Sequence, residues 1–185
     1  QWLGGATLMA LPFYVVAATG LGLRSADVAI LLAAQTAGSL ASNALWGRIG
    51  DRHGKIRLLL LVGLLRLAVP VGAVALLAVT GLGGIAMLTG FVVLFVAMGA
   101  LVNGMTIGYI GYLMEISPDD RRPAYSAYFN ALASPAALLP LLGAVIVDWV
   151  SLPSVFLAAA IAAAAQLLLI RKLARLESSP GGDQR

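Results

Sequence analysis

Hydrogen-bonding side chains are sparse in the apolar parts of this sequence, but in one stretch they recur at helical spacing. Residues 26–46 include Gln35, Ser39, Ser42, Asn43 and Trp46, at i, i+4, i+7, i+8 and i+11. At roughly 100° per residue they fall within about a third of the helix circumference. Such side chains donate and accept hydrogen bonds, which suits either the binding of a small solute or close packing between helices. The stripe leaves both interpretations open, and the bulky amide favours a cavity for Gln35.

A weaker version of the pattern occurs near the end of the chain. Ser126, Asn130 and Ser134 follow one another at i, i+4 and i+8, and two other apolar stretches add isolated polar groups. Polar side chains of an apolar helix avoid lipid and face a cavity or a neighbouring helix. The candidate solute-binding residues are Tyr14, Gln35, Ser39, Asn43, Asn103, Thr106, Asn130 and Ser134.

The residue types do not favour catalytic or metal chemistry. The single histidine, His53, lies in a charged stretch between apolar segments, and the chain has no cysteine. A metalloprotease motif or a serine–histidine dyad inside a membrane helix needs a histidine there. The sequence has no cluster of metal ligands and no phosphate-cradling loop. We therefore expect no enzymatic activity, no cofactor and no metal, and nothing indicates a nucleic-acid partner.

One cation lies well inside an apolar stretch, at Arg66. A charge near the centre of a bilayer costs ~2.5–3.5 kcal/mol, so such an intramembrane charge is a functional candidate by default. Its long side chain could instead reach lipid headgroups or pair with Glu115. We expect a structural or gating role for Arg66, and a direct role stays open.

Composition dictates the elements that position these residues. The chain is 61% hydrophobic and 11% charged, with a mean hydropathy of +0.96, whereas soluble domains carry about a quarter charged residues. Long apolar blocks without alternation predict transmembrane helices and argue against a barrel. The predicted fold is an all-α integral membrane bundle. Its six spans, numbered in chain order, run near residues 2–20, 26–46, 56–79, 85–114, 124–147 and 152–170.

The basic residues predict the orientation of the bundle. They concentrate between spans 2 and 3, between spans 4 and 5, and after span 6, whereas the opposite side has only Arg24. By the positive-inside rule, both ends of the block are cytoplasmic in a cell (inner) membrane. The bundle occupies residues 1–175, and the Ser-, Pro- and Gly-rich residues 176–185 predict a disordered tail. An apolar start at Gln1 indicates a piece of a longer protein.

The most specific motif lies between spans 2 and 3. It reads Gly47-Arg48-Ile49-Gly50-Asp51-Arg52-His53-Gly54-Lys55-Ile56-Arg57. Its glycines permit unusual backbone angles, and a carboxylate at Asp51 suits the positive end of the following helix dipole. Taken alone, it could be an ordinary tight turn that obeys the positive-inside rule. The combination Gly47-xxx-Asp51-Arg52-x-Gly54-Lys55-x-Arg57 nevertheless resembles the signature between the second and third helices of a six-helix half in the major facilitator superfamily.

That resemblance implies a gating motif formed by Gly47, Asp51, Arg52, Gly54, Lys55 and Arg57. In it, Asp51 and Arg52 belong to an inner-side latch that holds two halves together when the cavity faces outward. Lys55 stands where arginine is commoner, which keeps the charge but loses the planar fork.

A second stretch resembles the region between the fourth and fifth helices of the same superfamily. It runs from Ile116 to Pro123 and leads into a helix that contains Pro135, Pro140 and Gly143. These prolines remove backbone donors and can bend the span. Together with Leu11-Pro12-Phe13-Tyr14, the layout resembles the carboxyl-terminal half, and the resemblance covers essentially the whole chain.

The resemblance implies one half of a twelve-helix bundle in which the first, second, fourth and fifth helices of each half line a central cavity. It also implies secondary active transport of a small solute by alternating access. The expected partners are the lipid bilayer, a missing amino-terminal six-helix half and a small-molecule substrate. A non-transporting sensor or an assembly module with the same fold stays open, and the residues indicate neither the substrate nor the coupling ion.

Overall fold

The computed structural model describes residues 2–79, 81 and 83–177, and these residues are almost entirely helical. Six helical segments are long and apolar enough to cross a membrane, which confirms the predicted all-α class with six transmembrane helices. Spans 1 to 6 occupy Leu3–Gly20, Ser25–His53, Lys55–Ala78, Gly84–Ile116, Asp119–Trp149 and Leu152–Arg175. Most of the predicted tail, from residue 178 onward, lies outside the described residues.

Four of the spans are single helices. They run Ser25–His53, Lys55–Ala78, Gly84–Ile116 and Leu152–Glu177. The helix of span 2 continues through the basic segment to His53, beyond residue 46 where we predicted its end. It ends there because Gly54 has φ 82° and ψ 159°, far from helical values.

The other two spans are discontinuous. Span 1 consists of a helix Trp2–Ala6, a 3₁₀ turn Thr7–Ala10 and a helix Phe13–Gly20. Span 5 consists of 3₁₀ turns at Asp119–Arg121 and Ser134–Leu138 and helices at Arg122–Ala133 and Leu139–Trp149. Pro12, Pro135 and Pro140 lie at these breaks, because proline cannot donate the backbone hydrogen bond that continues a helix. Span 5, where we predicted that prolines can bend the helix, is interrupted at Pro135 by a 3₁₀ turn.

The two discontinuous spans pack against each other near their breaks. A Cβ atom on Gly5 would lie 2.7 Å from the Cβ of Ala136, and one on Gly143 would lie 3.2 Å from the carbonyl carbon of Met9. Glycine at both positions therefore lets the two irregular backbones approach closely.

Spans 2 and 4 form the most extensive helix pair, here called the 2–4 seam. A Cβ on Gly99 would lie 2.8 Å from the carbonyl carbon of Gln35, and a Cβ on Gly38 would lie 2.8 Å from the Cα of Val96. The seam is thus a contact between two helix backbones, which only small residues permit.

The buried residues of the apolar core come from spans 1, 2, 3, 4 and 6, whereas span 5 contributes residues that are only partly buried, such as Leu139 and Ile146. Phe91, Phe95, Val155 and Phe156 are almost completely buried in it. Gly143 is the only buried residue of span 5 in the part of the chain that the structure describes. Span 5 therefore exposes most of its surface to lipid or to a partner.

Candidate solute-binding cavity

A cavity of about 390 Å³, here called the main cavity, lies between spans 1, 3, 4 and 5. Its wall is largely apolar, and its polar lining residues are Thr7, Tyr14, Arg66, Thr106, Tyr109 and Asn130. A side cavity of about 340 Å³ adjoins it and shares Arg66, Met105, Tyr109 and Asn130 with it. A concave apolar site with a few convergent polar groups is the usual form of a small-molecule site.

Arg66 occupies the boundary between the two cavities and is only 1% exposed. Its Nη1 donates hydrogen bonds to Oε1 of Gln166 at 2.5 Å and to the hydroxyl of Tyr109 at 3.4 Å. Nη2 contacts the sulfur of Met105. Arg66 thus neither reaches headgroups nor pairs with Glu115. It joins span 3 to spans 4 and 6 inside the bundle.

The partners of Arg66 also bind one another and leave room for its guanidinium. The amide nitrogen of Gln166 donates a hydrogen bond to the hydroxyl of Tyr109. The Tyr109 ring centroid lies 6.0 Å from Cζ of Arg66, at the limit of a cation–π contact. A Cβ on Gly4 would lie 2.8 Å from Nε2 of Gln166 and closer still to Nη1 of Arg66. Glycine at position 4 therefore makes the space for this polar cluster.

Sequence reasoning did not identify Gln166 or Gly4 as site residues. Gln166 is the sole amide in the apolar run of span 6, and that isolation is a signal which could have found it, because a buried amide needs partners. No comparable signal exists for Gly4, since its role depends on where the distant Arg66 side chain ends.

Four of the eight predicted solute-binding residues border the cavities. Tyr14, Thr106 and Asn130 line the main cavity, and Ser134 lines the side cavity together with Asn130. Tyr14 is 3% exposed and packs its ring against Phe156, with centroids 4.8 Å apart. The structure thus brings together predicted residues of spans 1, 4 and 5.

The remaining four, Gln35, Ser39, Asn43 and Asn103, line neither cavity. The side-chain amide of Asn103 donates to the carbonyl oxygen of Ser39 at 2.5 Å, across the 2–4 seam. Gln35 is partly buried there, and Asn43 is exposed. At Ser39 and Asn103 the structure shows a contact between two helices. A solute-binding role for these four residues stays a prediction.

Trp46, on the same stripe, also takes part in the seam. Its indole nitrogen donates to the carbonyl oxygen of Ala100 at 2.8 Å, and the side chain is 6% exposed. Ser42 donates to the carbonyl oxygen of Ser39 within its own helix. These bonds satisfy polar groups that would otherwise face apolar surroundings.

The predicted gating motif forms a tight connection between spans 2 and 3. Asp51 lies in the last turn of the span 2 helix and pairs with Lys55, the first residue of span 3, at 3.3 Å. The Lys55 stem packs beside Gly111 of span 4, where an added Cβ would meet it at 3.2 Å. Arg52 and Arg57 are exposed. The connection thus places Arg52 and Arg57 at the surface, whereas Lys55 contacts both span 2 and span 4.

Comparison with known proteins gives one match. The sequence model of the Major Facilitator Superfamily matches residues 3–185. No curated protein and no solved structure matches the chain. The family match covers all six spans, and the six-helix architecture agrees with it. This chain therefore belongs to the Major Facilitator Superfamily, a family of multi-pass membrane transporters.

Proposed function

We propose that this chain is the carboxyl-terminal six-helix half of a secondary transporter that moves a small solute by alternating access. The observation that carries the proposal is the main cavity, which has convergent polar groups and lies beside an almost unburied span 5. A helix that borders a cavity and buries so little surface needs a covering partner. We assign that role to an amino-terminal six-helix half.

The exposed polar residues of span 2 support the same arrangement. Thr36 and Asn43 are both exposed, on a helix whose other residues are mostly apolar. Polar side chains at membrane depth avoid lipid, so we place this face against the other half or along a water-filled path. Gln35, which is partly buried beside them, keeps its proposed contact with solute in the two-half assembly.

The discontinuous spans are the parts of the binding site that we expect to move. Interrupted helices at the binding site, with one bundle rocking against the other, are a common feature of secondary transporters. Here the 3₁₀ turns Thr7–Ala10 and Ser134–Leu138 interrupt spans 1 and 5 beside the cavities. We propose that these two spans move during transport, and that Tyr14, Thr106, Asn130 and Ser134 contact the solute.

The motif between spans 2 and 3 provides the gate in this proposal. Its basic residues place it on the cytoplasmic side of the inner membrane by the positive-inside rule. Arg52 and Arg57 are exposed and available to the amino-terminal half, while Asp51 is held by Lys55. The latch would stabilise the outward-facing state.

Alternating access can be tested by chemical labelling, because this chain has no cysteine. The full transporter, with cysteines elsewhere replaced, receives single substitutions Asn130→Cys, Ser25→Cys or Arg48→Cys. A membrane-impermeant maleimide is applied to right-side-out and inside-out vesicles. We expect Ser25→Cys to react from the outside only, Arg48→Cys from the inside only, and Asn130→Cys from both sides.

Adding Asp51→Asn to Asn130→Cys tests the gate. Weakening the latch should raise inside labelling of Asn130→Cys several-fold at the expense of outside labelling. If Asn130→Cys reacts from one face only and Asp51→Asn leaves its rate unchanged, the chain does not alternate, and a sensor or assembly module describes it better.

A further inference from the structure

The positive charge of Arg66 is not balanced by any acid in the described part of the chain. The ion pairs found there all lie at the ends of spans, and none of them includes Arg66. They join Arg24 to Asp27, Asp51 to Lys55, Asp120 to Arg121 and Asp119 to Arg122. A buried charge is retained only where something pairs with it or its chemistry is used.

The hydrogen bonds of Arg66 leave the donors on one edge of its guanidinium without strong acceptors. A guanidinium has five N–H donors. Nη1 uses both of its donors on Gln166 and Tyr109. Among the described residues, Nη2 contacts the sulfur of Met105, which is a weak acceptor, and the buried Nε has no hydrogen-bond partner.

The under-used donors lie on the same edge of the group. Nε–H and one Nη2–H point in parallel, with the spacing that grips the two oxygens of a carboxylate or phosphate. The partners on the opposite side, Gln166 and Tyr109, are uncharged. They orient the guanidinium and leave its charge intact, which is the arrangement that an arginine needs to bind an anion.

The wall of the main cavity limits what the rest of the ligand can be. Leu11, Val69, Leu101 and Phe129 contribute apolar surface around Arg66. The neighbouring Tyr109 and Phe129 rings lie 6.2 Å apart and tilted, which adds an aromatic surface. A fully charged metabolite would lose its hydration to this wall, whereas an apolar body would gain from it.

Met105 covers the edge of Arg66 that an anion would use. Its sulfur touches Nη2, and its side chain lines both cavities. An unbranched thioether adopts several conformations at low cost, so it can yield to a ligand more readily than a branched side chain.

We propose that the main cavity binds an organic anion whose carboxylate or phosphate group pairs with the Nε and Nη2 edge of Arg66 and whose apolar body lies against the cavity wall. This inference rests on the proposed transport function, because it names the substrate class of the same cavity. Gln166, Tyr109 and Gly4 are positioning residues for that arginine.

The test compares anions with neutral molecules of the same shape. The full transporter is placed in phosphatidylcholine nanodiscs, and binding of 2-naphthoate, 2-naphthamide, phenyl phosphate and phenol is measured by calorimetry. At least one anion should bind tenfold or more tightly than its neutral counterpart. The same anion should slow the labelling of Asn130→Cys, which locates it in the cavity without altering Arg66.

Variants then assign the effect to the guanidinium. Arg66→Lys keeps the charge but loses the fork, so the preference for the anion should fall several-fold, and Arg66→Gln should abolish it. Tyr109→Phe should weaken binding of the anion and leave binding of the neutral molecule unchanged. Arg48→Gln, which removes an exposed charge, should change neither.

Two results would overturn the inference, and both can be told apart from a failure of transport itself. If no anion binds better than its neutral counterpart while Asn130→Cys still reacts from both faces, alternating access stands and an acid of the other half balances Arg66. If phosphatidylglycerol added to the nanodisc displaces the anion, with one lipid bound for each anion released, the site binds a lipid headgroup. Wild-type binding decides both cases, even where an Arg66 variant does not fold.

Discussion

Adding one methyl group to the 2–4 seam should destabilise the whole bundle. In Gly99→Ala the new Cβ would lie 2.8 Å from the carbonyl carbon of Gln35 and from the backbone nitrogen of Ser39, where ordinary contact begins at 3.4 Å. The opposing atoms belong to a helix backbone, so no side chain can rotate away. Spans 2 and 4 must therefore separate locally by at least about 0.6 Å.

The expected loss combines overpacking with weakened hydrogen bonds. Overpacking of a tight contact costs about 1–3 kcal/mol. The same separation would stretch the bond from Asn103 to Ser39, now 2.5 Å, and the bond from Trp46 to Ala100, now 2.8 Å. Hydrogen bonds between membrane helices average about 0.6 kcal/mol each. We therefore expect Gly99→Ala to lower the free energy of unfolding by about 2–4 kcal/mol.

The assay is reversible unfolding of the full transporter in mixed micelles with increasing sodium dodecyl sulfate. Gly47→Ala is the matched control, because it lies on span 2 and an added Cβ there meets nothing within 4 Å. Its effect should stay within about 0.5 kcal/mol, as for most surface substitutions. Gly38→Ala, on the same seam, should behave like Gly99→Ala. Equal stabilities of Gly99→Ala and Gly47→Ala would refute the backbone contact.

Substitutions at three further positions test the turn, the seam and the arginine cluster. Gly54→Ala and Gly54→Asn should both destabilise by about 1–3 kcal/mol, because φ 82° with ψ 159° is open to glycine alone; rescue by Asn in the unfolding assay would indicate a left-handed turn instead. Trp46→Phe should lose about 1 kcal/mol with its bond to Ala100, and an unchanged unfolding midpoint would contradict this. Gly4→Ala should weaken anion binding several-fold in calorimetry by displacing Arg66, whereas Gly20→Ala, in open space, should not.

The sequence predicted the architecture because membrane solvation leaves few choices. Long apolar blocks must form helices in lipid, so hydropathy predicts how many there are. Proline favours breaks for an equally local reason, since it lacks the donor that continues the helix, although Pro70 lies inside the uninterrupted helix of span 3. Pro12, Pro135 and Pro140 indeed lie at interruptions of spans 1 and 5.

The roles of individual polar residues were harder to predict, because packing and solute binding use the same residue types. Ser39 fits a cavity face by its spacing, and Asn103 is a polar group in an apolar span. The structure places both in the seam, where Gly38 and Gly99 allow the two backbones to touch. Periodicity identifies which face of a helix is polar but does not identify what that face contacts.

Arg66 shows a second limit of the sequence. Its residue type and depth marked it as unusual, but its partner Gln166 is distant along the chain and lies in an otherwise apolar run. Only the packing of spans 3, 4 and 6 brings the two together. The inference of an anion site therefore needed three-dimensional information that no local pattern contains.

Span 4 connects the main cavity to the proposed gate. It carries Tyr109, which binds Arg66, and two residues later Gly111, against which the Lys55 stem packs. Lys55 in turn holds Asp51 at the end of span 2. The 2–4 seam joins these two helices backbone to backbone. Because Asp51 lies on span 2 and Gly111 on span 4, we expect the two partners of Lys55 to move together when span 4 is displaced. Spans 1 and 5, which are interrupted beside the cavities, do not take part in the 2–4 seam. In the proposed mechanism, a ligand bound to Arg66 would act on spans 2 and 4 through Tyr109, while spans 1 and 5 would adjust around the ligand. This asymmetry would connect occupancy of the main cavity to the state of the proposed latch.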